Sequence, residues 1–194
     1  MADAGRVIGG VARGVRLRAP GEGTRPFGDR VKESLFGALE ADTAEPLGGA
    51  FLDLYAGSGA AGIEALSRGA PSATFVERDA GAVRVITENL RRAALEGGRV
   101  VRAEALGWLS GAAAGGPHRC VIADPPYADD QALARVLGLL GEGVGTDGIL
   151  EPGGVVVCKH HWRWEGPQVV GRLARERTKR FGETALTWYR ALDG

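Results

Sequence analysis

The most specific chemical pattern in this chain is a four-residue turn, Asp124-Pro125-Pro126-Tyr127, which follows a short apolar run. Two successive prolines restrict the backbone and donate no hydrogen bond, so the neighbouring carbonyl groups are held outward. Asp124 and the Pro125 carbonyl could accept both hydrogens of an exocyclic amino group, and Tyr127 could stack on a flat ring. All four residues are therefore candidates for a catalytic site that holds a nucleobase amine. A plain proline turn that caps a strand is the alternative.

A glycine-rich loop, Gly57-Ser58-Gly59-Ala60-Ala61-Gly62, follows an earlier apolar run that contains Asp53. Its spacing matches the G-x-G-x-x-G pattern of nucleotide cofactor sites, which is a weak signal on its own. In a dehydrogenase this loop would approach a pyrophosphate, but the carboxylate of Asp53 would repel one. A cofactor with a cationic sulfonium and an ammonium group would be attracted instead. The loop therefore indicates S-adenosylmethionine.

Two further acids extend the predicted cofactor site beyond the glycine loop. Glu77 lies 20 residues after Gly57, at the predicted end of the second strand, where a carboxylate can accept both hydroxyl groups of a ribose. Glu104 follows the third strand and could help to hold an adenine ring, whereas Asp79 is interpreted as a helix cap. No metal is predicted. The predicted cofactor-binding residues are Asp53, Tyr55, Ala56, Gly57, Ser58, Gly59, Gly62, Glu77, Arg78, Glu104, Ala105 and Asp124.

Both motifs require strands that end at one edge of a common sheet. From residue 50 onward, apolar runs alternate with segments of helical periodicity, which predicts an α/β, Rossmann-like fold with helices on both faces of the sheet. We expect about seven strands, mostly parallel, with an antiparallel C-terminal hairpin. Ligands of such sheets bind beyond the carboxyl ends of the strands. The predicted strands are Ala50–Tyr55, Ala73–Val76, Arg99–Ala103, Cys120–Ala123, Gly154–Cys158, Val169–Arg177 and Ala185–Leu192.

Residues 1–40 are predicted to form a small extension of a main domain that spans residues 41–194. Within it, residues 6–19 predict a β-hairpin outside the main domain, and residues 29–40 predict a helix with Asp29 as its N-cap. Residues 1–32 carry seven Lys and Arg against three acids, a net charge of +4, so the rest of this neutral chain carries −4. A basic arm on an acidic body favours a phosphate-backbone ligand, with a solvated surface hairpin as the alternative. The candidate RNA contacts are Arg6, Arg13, Arg16, Arg18, Arg25, Arg30 and Lys32.

The bulk composition is typical of a globular protein. Of the 194 residues, 44% are hydrophobic and 25% are charged. No apolar run approaches the roughly 20 residues that a membrane helix requires, and the first residues contain no apolar secretion core, so we expect a cytoplasmic protein. Cys120 and Cys158 lie in apolar runs, which predicts buried, reduced thiols. His160 and His161 lack a third ligand at a recognisable spacing and are interpreted as packing or surface residues.

Several stretches together match the signatures of a known family. They are Arg6-Val7-Ile8-Gly9-Gly10, Arg13-Gly14, Thr24-Arg25-Pro26, Asp29-Arg30-Val31-Lys32-Glu33-Ser34-Leu35-Phe36, Phe51-Leu52-Asp53-Leu54-Tyr55-Ala56-Gly57-Ser58-Gly59, Gly62-Ile63-Glu64-Ala65-Leu66-Ser67-Arg68-Gly69-Ala70 and Asp124-Pro125-Pro126-Tyr127. With them, most of the chain resembles the bacterial 16S rRNA guanine-N2 methyltransferases. Many methyltransferases share the glycine loop, so the N-terminal stretches are the more specific part of the resemblance.

The resemblance implies a class I methyltransferase fold, with S-adenosylmethionine as methyl donor and S-adenosylhomocysteine as product. The implied substrate is the exocyclic N2 of one guanine in 16S rRNA, presented in a partly assembled small ribosomal subunit, and we expect a monomeric enzyme. The resemblance also implies that residues 25–32 pack over the methyl-donor pocket and contact RNA. Two stretches depart from the family pattern. Phe27-Gly28 stand where small hydroxyl residues are usual, and Lys159-His160-His161 follow a strand where relatives often carry an acid.

Other functions remain open on the sequence. Another amino-methyltransferase could act on transfer RNA, on DNA adenine or cytosine, or on a glutamine side chain, although such enzymes more often carry Asn at the position of Asp124. An NAD-dependent oxidoreductase could use the glycine loop, but Asp53 and the proline turn disfavour it. A non-catalytic RNA-binding module would need only the basic arm.

Overall fold

A computed structural model of the chain describes residues 3–21, 27–42, 44–111, 116–126, 130–145 and 147–192. Within these ranges the chain alternates between strands and helices over most of its length. The strands are β1 (Asp3–Arg6), β2 (Arg16–Arg18), β3 (Phe51–Leu54), β4 (Ala73–Glu77), β5 (Gly98–Arg102), β6 (His118–Ala123), β7 (Leu150–His161), β8 (Val169–Val170), β9 (Leu173–Phe181) and β10 (Thr184–Ala191). The helices are α1 (Asp29–Glu40), α2 (Ala60–Ser67), α3 (Ala80–Ala93), α4 (Ala105–Leu109) and α5 (Asp130–Glu142), with a 3-10 turn at Pro46–Gly48.

The centre of the fold is an eight-stranded sheet with the order β5-β4-β3-β6-β7-β10-β9-β8. The first five strands in this order are parallel, whereas β10 runs antiparallel between β7 and β9. The predicted α/β fold, with a mainly parallel sheet and an antiparallel C-terminal hairpin, is confirmed. The sheet has eight strands rather than about seven, because the predicted strand Val169–Arg177 is divided into β8 and β9, which pair with each other.

Two predicted boundaries near the end of the sheet are wrong. Strand β7 begins at Leu150 rather than at the predicted Gly154, because a bulge lets residues 150–153 belong to the strand. Two steps along β6, from His118 to Cys120, correspond to five steps along β7. The last hairpin turns at Gly182, where φ is +64°. Residues 178–181, which lie beyond the predicted end of the strand Val169–Arg177, also pair with β10.

The order of the strands explains why the two sequence motifs meet. Strands β3 and β6 are neighbours although two strands and three helices separate them along the chain. Leu54 pairs with Ala123, and the N–H of Asp124 donates to the carbonyl of Leu54 at 3.4 Å. The loops that leave β3 and β6 therefore start side by side at a switch point in strand order, where ligands of open α/β sheets bind.

Helices cover both faces of the sheet and build two apolar core layers. One layer includes Phe36, Phe51 and Phe75 and extends into the N-terminal extension, while the other surrounds α4 and α5. Helix α2 packs very closely, because a Cβ added at Gly62 would lie only 2.3 Å from the ring of Phe75. Among the described helices, none combines the length and apolar character needed to cross a bilayer.

The N-terminal extension packs firmly on the face formed by α2 and α3. The buried carboxylate of Glu64 accepts the N–H groups of Ile8 and Gly9 at 2.9 and 2.7 Å. Asn89 in α3 forms two hydrogen bonds, of 2.8 and 2.9 Å, with the backbone of Arg18. The extension therefore shares a core with the sheet rather than standing outside it, and the division at residue 40 stays a prediction.

The N-cap predicted for α1 is wrong by one residue. Gly28 occupies the cap position and offers no side-chain cap, whereas Asp29 is the first helical residue. The carboxylate of Asp29 lies 3.3 Å from Nε of Arg6 and 3.6 Å from Nζ of Lys32. This acid therefore connects the start of α1 to β1 instead of capping the helix.

Candidate functional site

The two sequence motifs line one cavity of about 1120 Å³ beyond the carboxyl ends of the central strands. Ligand pockets commonly enclose about 300–1000 Å³, so this volume accommodates a nucleoside cofactor together with part of a second ligand. Ala4, Ala19 and Phe27 of the extension also line it. From the predicted site, the residues at the cavity wall are Asp53, Tyr55, Ala56, Gly57, Ser58, Glu77, Arg78, Glu104, Ala105, Asp124, Pro125 and Pro126.

Gly59 and Gly62 belong to the predicted cofactor set but do not line the cavity. Gly59 adopts a φ of +78° immediately before α2, and a Cβ there would lie 3.1 Å from the side chain of Ile86. Gly62 lies against Phe75, and its N–H donates to Asp53 at 2.9 Å. These two glycines shape the loop and pack the helix on the sheet, and their contact with the cofactor stays a prediction.

Glu77, the last residue of β4, is held by two backbone donors. One carboxylate oxygen accepts the N–H of Gly57 at 2.9 Å, and the other accepts the N–H of Asp79 at 2.9 Å. These bonds connect the glycine loop to β4 and fix the carboxylate at the cavity wall. Because each carboxylate oxygen can accept a second hydrogen bond, the group could also receive two ribose hydroxyls. The ribose contact stays a prediction, and the geometry is compatible with it.

Replacing Glu77 by alanine should weaken the binding of S-adenosylhomocysteine roughly ten- to hundredfold, because two hydrogen bonds to a charged acceptor are lost. Isothermal titration calorimetry measures this dissociation constant directly. Glu96→Ala is the matched control, since Glu96 is an exposed acid distant from the cavity lining. An unchanged dissociation constant in Glu77→Ala would exclude the ribose contact.

Asp53 lies inside β3 and is only 3% exposed. One of its oxygens accepts the Gly62 N–H, so the carboxylate connects β3 to the first turn of α2. Burial is the main cause that raises the pKa of Asp53 to about 8, with smaller contributions from Asp124 and Glu77, while the Gly62 bond opposes the shift. A cation in the cavity would favour the ionised form. With a pKa of about 8, Asp53 is mostly protonated at neutral pH unless a cation lies beside it, so the preference for a cationic ligand over a pyrophosphate stays a prediction.

Asp124 forms a tight ion pair with Lys159, which lies near the end of β7. Nζ of Lys159 is 2.7 Å from each carboxylate oxygen of Asp124. It also lies 5.5 Å from the centre of the Phe27 ring. Burial raises the pKa of Asp124, whereas the charge and hydrogen bond of Lys159 oppose that shift. The lysine thus favours the ionised carboxylate, which keeps 30% of its side-chain surface accessible for a substrate amine.

The sequence drew attention to Lys159 only as a departure from a family pattern, without a role. Its partner Asp124 is 35 residues away, and the pairing of Ala123 with Cys158 brings the two following residues together. A lysine that directly follows a run of buried apolar residues is a usable signal, because a buried ammonium needs an anionic partner. Arg135 and Phe27 also line the cavity and were not predicted as site residues.

Two acids near the cavity act as helix caps. Asp79 accepts the N–H of Ala82 at 2.7 Å, which confirms its interpretation as the cap of α3. Glu104 accepts the N–H of Gly107 at 2.7 Å and so caps α4. Glu104 thereby holds α4 against the cavity, and its contact with an adenine ring stays a prediction.

The predicted RNA contacts of the extension fall into distinct groups. Arg13 and Arg30 are exposed and have no carboxylate partner among the described residues. Three others form ion pairs at or near the surface, Arg6 with Asp29, Arg16 with Asp3 and Arg18 with Glu88. The predicted site residues Arg25 and Tyr127 lie outside the residues that the structure describes.

The prediction that Lys32 contacts RNA is wrong, because its side chain is fully buried. Its ammonium group donates to the carbonyl of Arg6 and lies 3.6 Å from Asp29. Burial lowers the pKa of Lys32, and the acids Glu64 and Asp29 oppose that shift. Lys32 therefore connects α1 to β1, and its ammonium group is not available to a phosphate.

The cysteines and the histidine pair take packing roles. Cys120 and Cys158 are buried free thiols, as predicted, and burial raises the pKa of both. The ring nitrogens of His160 lie 2.8 Å from the His161 carbonyl and 2.8 Å from the Thr187 hydroxyl. Across the described ranges, no group of three potential ligands gathers in a way that could hold a metal ion.

Comparison with known proteins identifies relatives over nearly the whole chain. A family model described as conserved hypothetical protein 95 matches residues 5–190. A Bacillus subtilis (strain 168) protein named "Putative rRNA methyltransferase YlbH" is 38% identical over 188 residues, which cover 95% of this chain and 98% of that protein. "Ribosomal RNA small subunit methyltransferase D" of Escherichia coli (strain K12) is 42% identical over 123 residues, which cover 63% of this chain and 60% of that protein.

Solved structures share the fold of this chain. A hypothetical protein from Thermus thermophilus superimposes with a TM-score of 0.79 at 38% identity, covering 94% of this chain and 97% of that one. An RNA methyltransferase from Salinibacter ruber, solved in complex with S-adenosyl-L-homocysteine, has a TM-score of 0.62 at 18% identity and covers 88% of this chain and 95% of that one. The chain therefore belongs to the conserved hypothetical protein 95 family, and its fold is that of the class I methyltransferases.

Proposed function

We propose that this protein is an S-adenosylmethionine-dependent rRNA methyltransferase that modifies the exocyclic N2 of a guanine in 16S rRNA. The observation that carries the proposal is the position of Asp124, which lies beside the glycine loop at the wall of one cavity. Relatives named as rRNA methyltransferases, at 38% and 42% identity, support the reaction and the RNA class. The choice of guanine N2 follows from the family resemblance and from the two acceptors of the proline turn.

The residues at the cavity wall fit S-adenosylmethionine. Glu77 would accept the ribose hydroxyls, Asp53 would favour the cationic end of the molecule, and the segment 103–106 would contact the adenine. When bound there, the cofactor supplies an electrophilic methyl group. The protein's part is to bind and orient both ligands and to limit access of water, because the methyl donor itself provides the chemical reactivity.

Asp124 and the carbonyl of Pro125 would hold the substrate amine. An exocyclic amino group normally delocalises its lone pair into the ring and is then a poor nucleophile. If both of its hydrogens are held by acceptors, a pyramidal nitrogen with a directed lone pair is favoured. This is catalysis by orientation and preorganised electrostatics. Lys159 is a positioning residue in this scheme, since it holds both oxygens of Asp124 at 2.7 Å.

The target base must leave its stack to enter the cavity, which costs a few kcal/mol and less in single-stranded RNA. A partly assembled small subunit, in which the target is still accessible, is therefore the expected substrate of a monomeric, cytoplasmic enzyme. Phosphate contacts by the basic extension would hold the RNA while the base is turned out. Arg13 and Arg30, which are exposed and lack a carboxylate partner among the described residues, suit this role.

Removal of three charges from the extension, in Arg6→Gln/Arg13→Gln/Arg16→Gln, should weaken RNA binding and flatten its salt dependence. For single-stranded RNA, the slope of log affinity against log salt should fall by about 0.7 for each phosphate contact that is lost. Filter binding at several salt concentrations measures both quantities. Arg92→Gln/Arg99→Gln removes exposed charges elsewhere and is the control. If affinity and slope match wild type, these three arginines have only a structural role.

The proposed reaction is tested by methyl transfer to small ribosomal subunits taken from a strain that lacks this gene. The expected result is one N2-methylguanine in 16S rRNA, mapped by nuclease digestion and mass spectrometry. Modification of transfer RNA or of DNA adenine alone would assign a different amino-methyltransferase activity. Calorimetry provides an independent check, because binding of NAD in place of S-adenosylhomocysteine would support an oxidoreductase instead.

A further inference from the structure

The tip of the hairpin formed by β9 and β10 lies at the same edge of the sheet as the cavity. Lys159 pairs across the sheet with Leu186, and Leu186 pairs in turn with Lys179. Asp124 continues this row on the other side, because it is in contact with Lys159. Three strand spacings of about 4.8 Å each place Lys179 roughly 14 Å from the Asp124 backbone. The tip is thus near any ligand held at Asp124.

Four exposed cations lie on β9 or just after β7, and we name them the tip cluster: Arg163, Arg177, Lys179 and Arg180. Arg163 and Arg180 share the ring of Trp162, whereas Arg177 and Lys179 lie on the other face of β9 from Arg180, because successive side chains of a strand alternate. None of the four forms an ion pair with a carboxylate among the described residues, although Arg177 is close enough to Asp42 to help lower the pKa of that acid, and the exposed acid Glu183 lies in the adjoining turn. The cluster stands out further because residues 33–194 carry a net charge of −4. Arg163 and Arg180, which both contact Trp162, repel each other, and an anionic ligand between them would relieve that repulsion.

The other arginines of the hairpin are tied to the protein. Arg172 donates to the carbonyls of Val144 and Leu192, and Arg175 donates to the carbonyl of Gly166. Arg190 pairs with both Asp42 and Glu176. Arg180 likewise donates its Nε–H to the carbonyl of Gly182 at 2.7 Å. What distinguishes the tip cluster from Arg190 is that none of its cations forms an ion pair among the described residues.

Aromatic rings hold the cations of the tip cluster in place. The guanidinium carbons of Arg180 and Arg163 lie 3.8 and 4.7 Å from the ring centre of Trp162. The other two cations also lie over rings, Arg177 at 4.7 Å from Trp188 and Lys179 at 5.5 Å from Phe181. A stacked guanidinium keeps its N–H groups available and has less rotamer freedom to lose on binding. The cluster is thus preorganised for an anion.

We infer that the tip cluster binds phosphates of the RNA next to the nucleotide that enters the cavity. The inference rests on the proposed function and adds a second contact surface to it. Ala4 and Ala19 place the extension at the cavity wall, and the hairpin tip follows beyond Lys159 along the same edge. An RNA strand whose target base reaches Asp124 would therefore contact the extension on one side and the tip cluster on the other.

The test compares RNA binding by wild type and by the variant Arg163→Gln/Arg177→Gln/Lys179→Gln/Arg180→Gln. We expect the affinity for naked 16S rRNA at 0.1 M salt to fall roughly ten- to hundredfold, and the salt slope to fall by about 0.7 for each lost contact. Binding of S-adenosylhomocysteine and the melting temperature should remain at the wild-type values. The control is Arg92→Gln/Arg99→Gln, whose exposed charges lie on α3 and on β5 at the opposite edge of the sheet.

A charge-preserving variant, Arg163→Lys/Arg180→Lys, separates charge from stacking. It should bind RNA more tightly than Arg163→Gln/Arg180→Gln but more weakly than wild type, because ammonium groups stack less well on Trp162. The inference is overturned if wild type binds and methylates 16S rRNA while the four-site variant matches the control. It is also overturned if the variant loses affinity only for assembled subunits, since a ribosomal protein would then be the partner. Absence of rRNA methylation by wild type would refute the proposed function instead.

Discussion

Asp124→Ala should lose methyl transfer by a factor of roughly 10² to 10³, the usual effect of removing one preorganised hydrogen-bonding group from a reacting centre. The carboxylate is the charged acceptor that would hold the substrate amine, and it is accessible from the cavity. Binding of S-adenosylhomocysteine should change little, because Glu77 and the glycine loop remain intact. Single-turnover methyl transfer and calorimetry measure the two effects separately. Equal turnover in the variant would remove Asp124 from the mechanism.

A loss of stability must be separated from a loss of chemistry in this experiment. Asp124→Ala leaves the buried ammonium of Lys159 without its carboxylate, and breaking a buried pair in this way costs about 3–5 kcal/mol. The double variant Asp124→Ala/Lys159→Met removes both charges and should regain most of the stability without regaining activity. Asp124→Asn keeps one acceptor oxygen and should retain more activity than Asp124→Ala.

Lys159→Gln should lower activity at pH 7 by roughly tenfold and move the acidic limb of the pH profile to higher pH. The reason is electrostatic: burial raises the pKa of Asp124, and Lys159 is the group that opposes this rise. Without the ammonium, a larger fraction of Asp124 is protonated at neutral pH and cannot accept an amine hydrogen. Raising the pH should therefore restore part of the activity. The profile of kcat/KM against pH measures the shift.

Lys159→Arg is the conservative variant for the same experiment, since it keeps a permanent positive charge beside Asp124. If it restores the wild-type profile while Lys159→Gln does not, the charge acts on Asp124. A uniform loss of activity at every pH in Lys159→Gln would instead indicate a purely structural role.

The stability of the folded chain should depend on pH in the opposite sense to the activity. A carboxyl whose pKa is raised holds its proton more tightly in the folded chain than in the unfolded one. The free energy of unfolding that it contributes therefore falls as the pH rises above the ordinary value of 3.8. Because the folded pKa of Asp53 is about 8, its contribution falls over the range from 3.8 to about 8. In Lys159→Gln the free energy of unfolding should fall more steeply with rising pH than in wild type. Urea unfolding at several pH values measures this difference.

Much of the site could be predicted because its acids follow short apolar strands. Asp53 lies in the first strand of the alternating region, Glu77 ends β4 and Asp124 follows β6, and parallel strands bring their carboxyl ends to one edge. The glycine loop and the proline turn are local patterns whose backbone demands can be recognised without tertiary structure. The α/β fold and the common cavity therefore followed from periodicity and from residue type.

The boundaries and roles that the sequence missed all depend on distant contacts. The start of β7 at Leu150 depends on a bulge in its pairing with β6. Gly59 and Gly62 lie against Ile86 and Phe75, which are distant in the sequence. In the sequence, Glu64 is one acid of a predicted helix. Only in the folded chain does its carboxylate accept the N–H groups of Ile8 and Gly9. Residue type alone cannot distinguish these roles, because long-range packing decides them.

By itself, the sequence determined which side chains could do chemistry here and on which strand ends they lie, since local backbone restriction and hydrophobic periodicity are properties of neighbouring residues. Only the tertiary structure decided which charges face each other. It buried Lys32 and turned a predicted RNA contact into a structural one, it placed Lys159 beside Asp124, and it left the cations of the tip cluster without an ion pair in the part of the chain that the structure describes. The physical reason is that desolvation and ion pairing depend on distances through space, which separation along the chain does not specify.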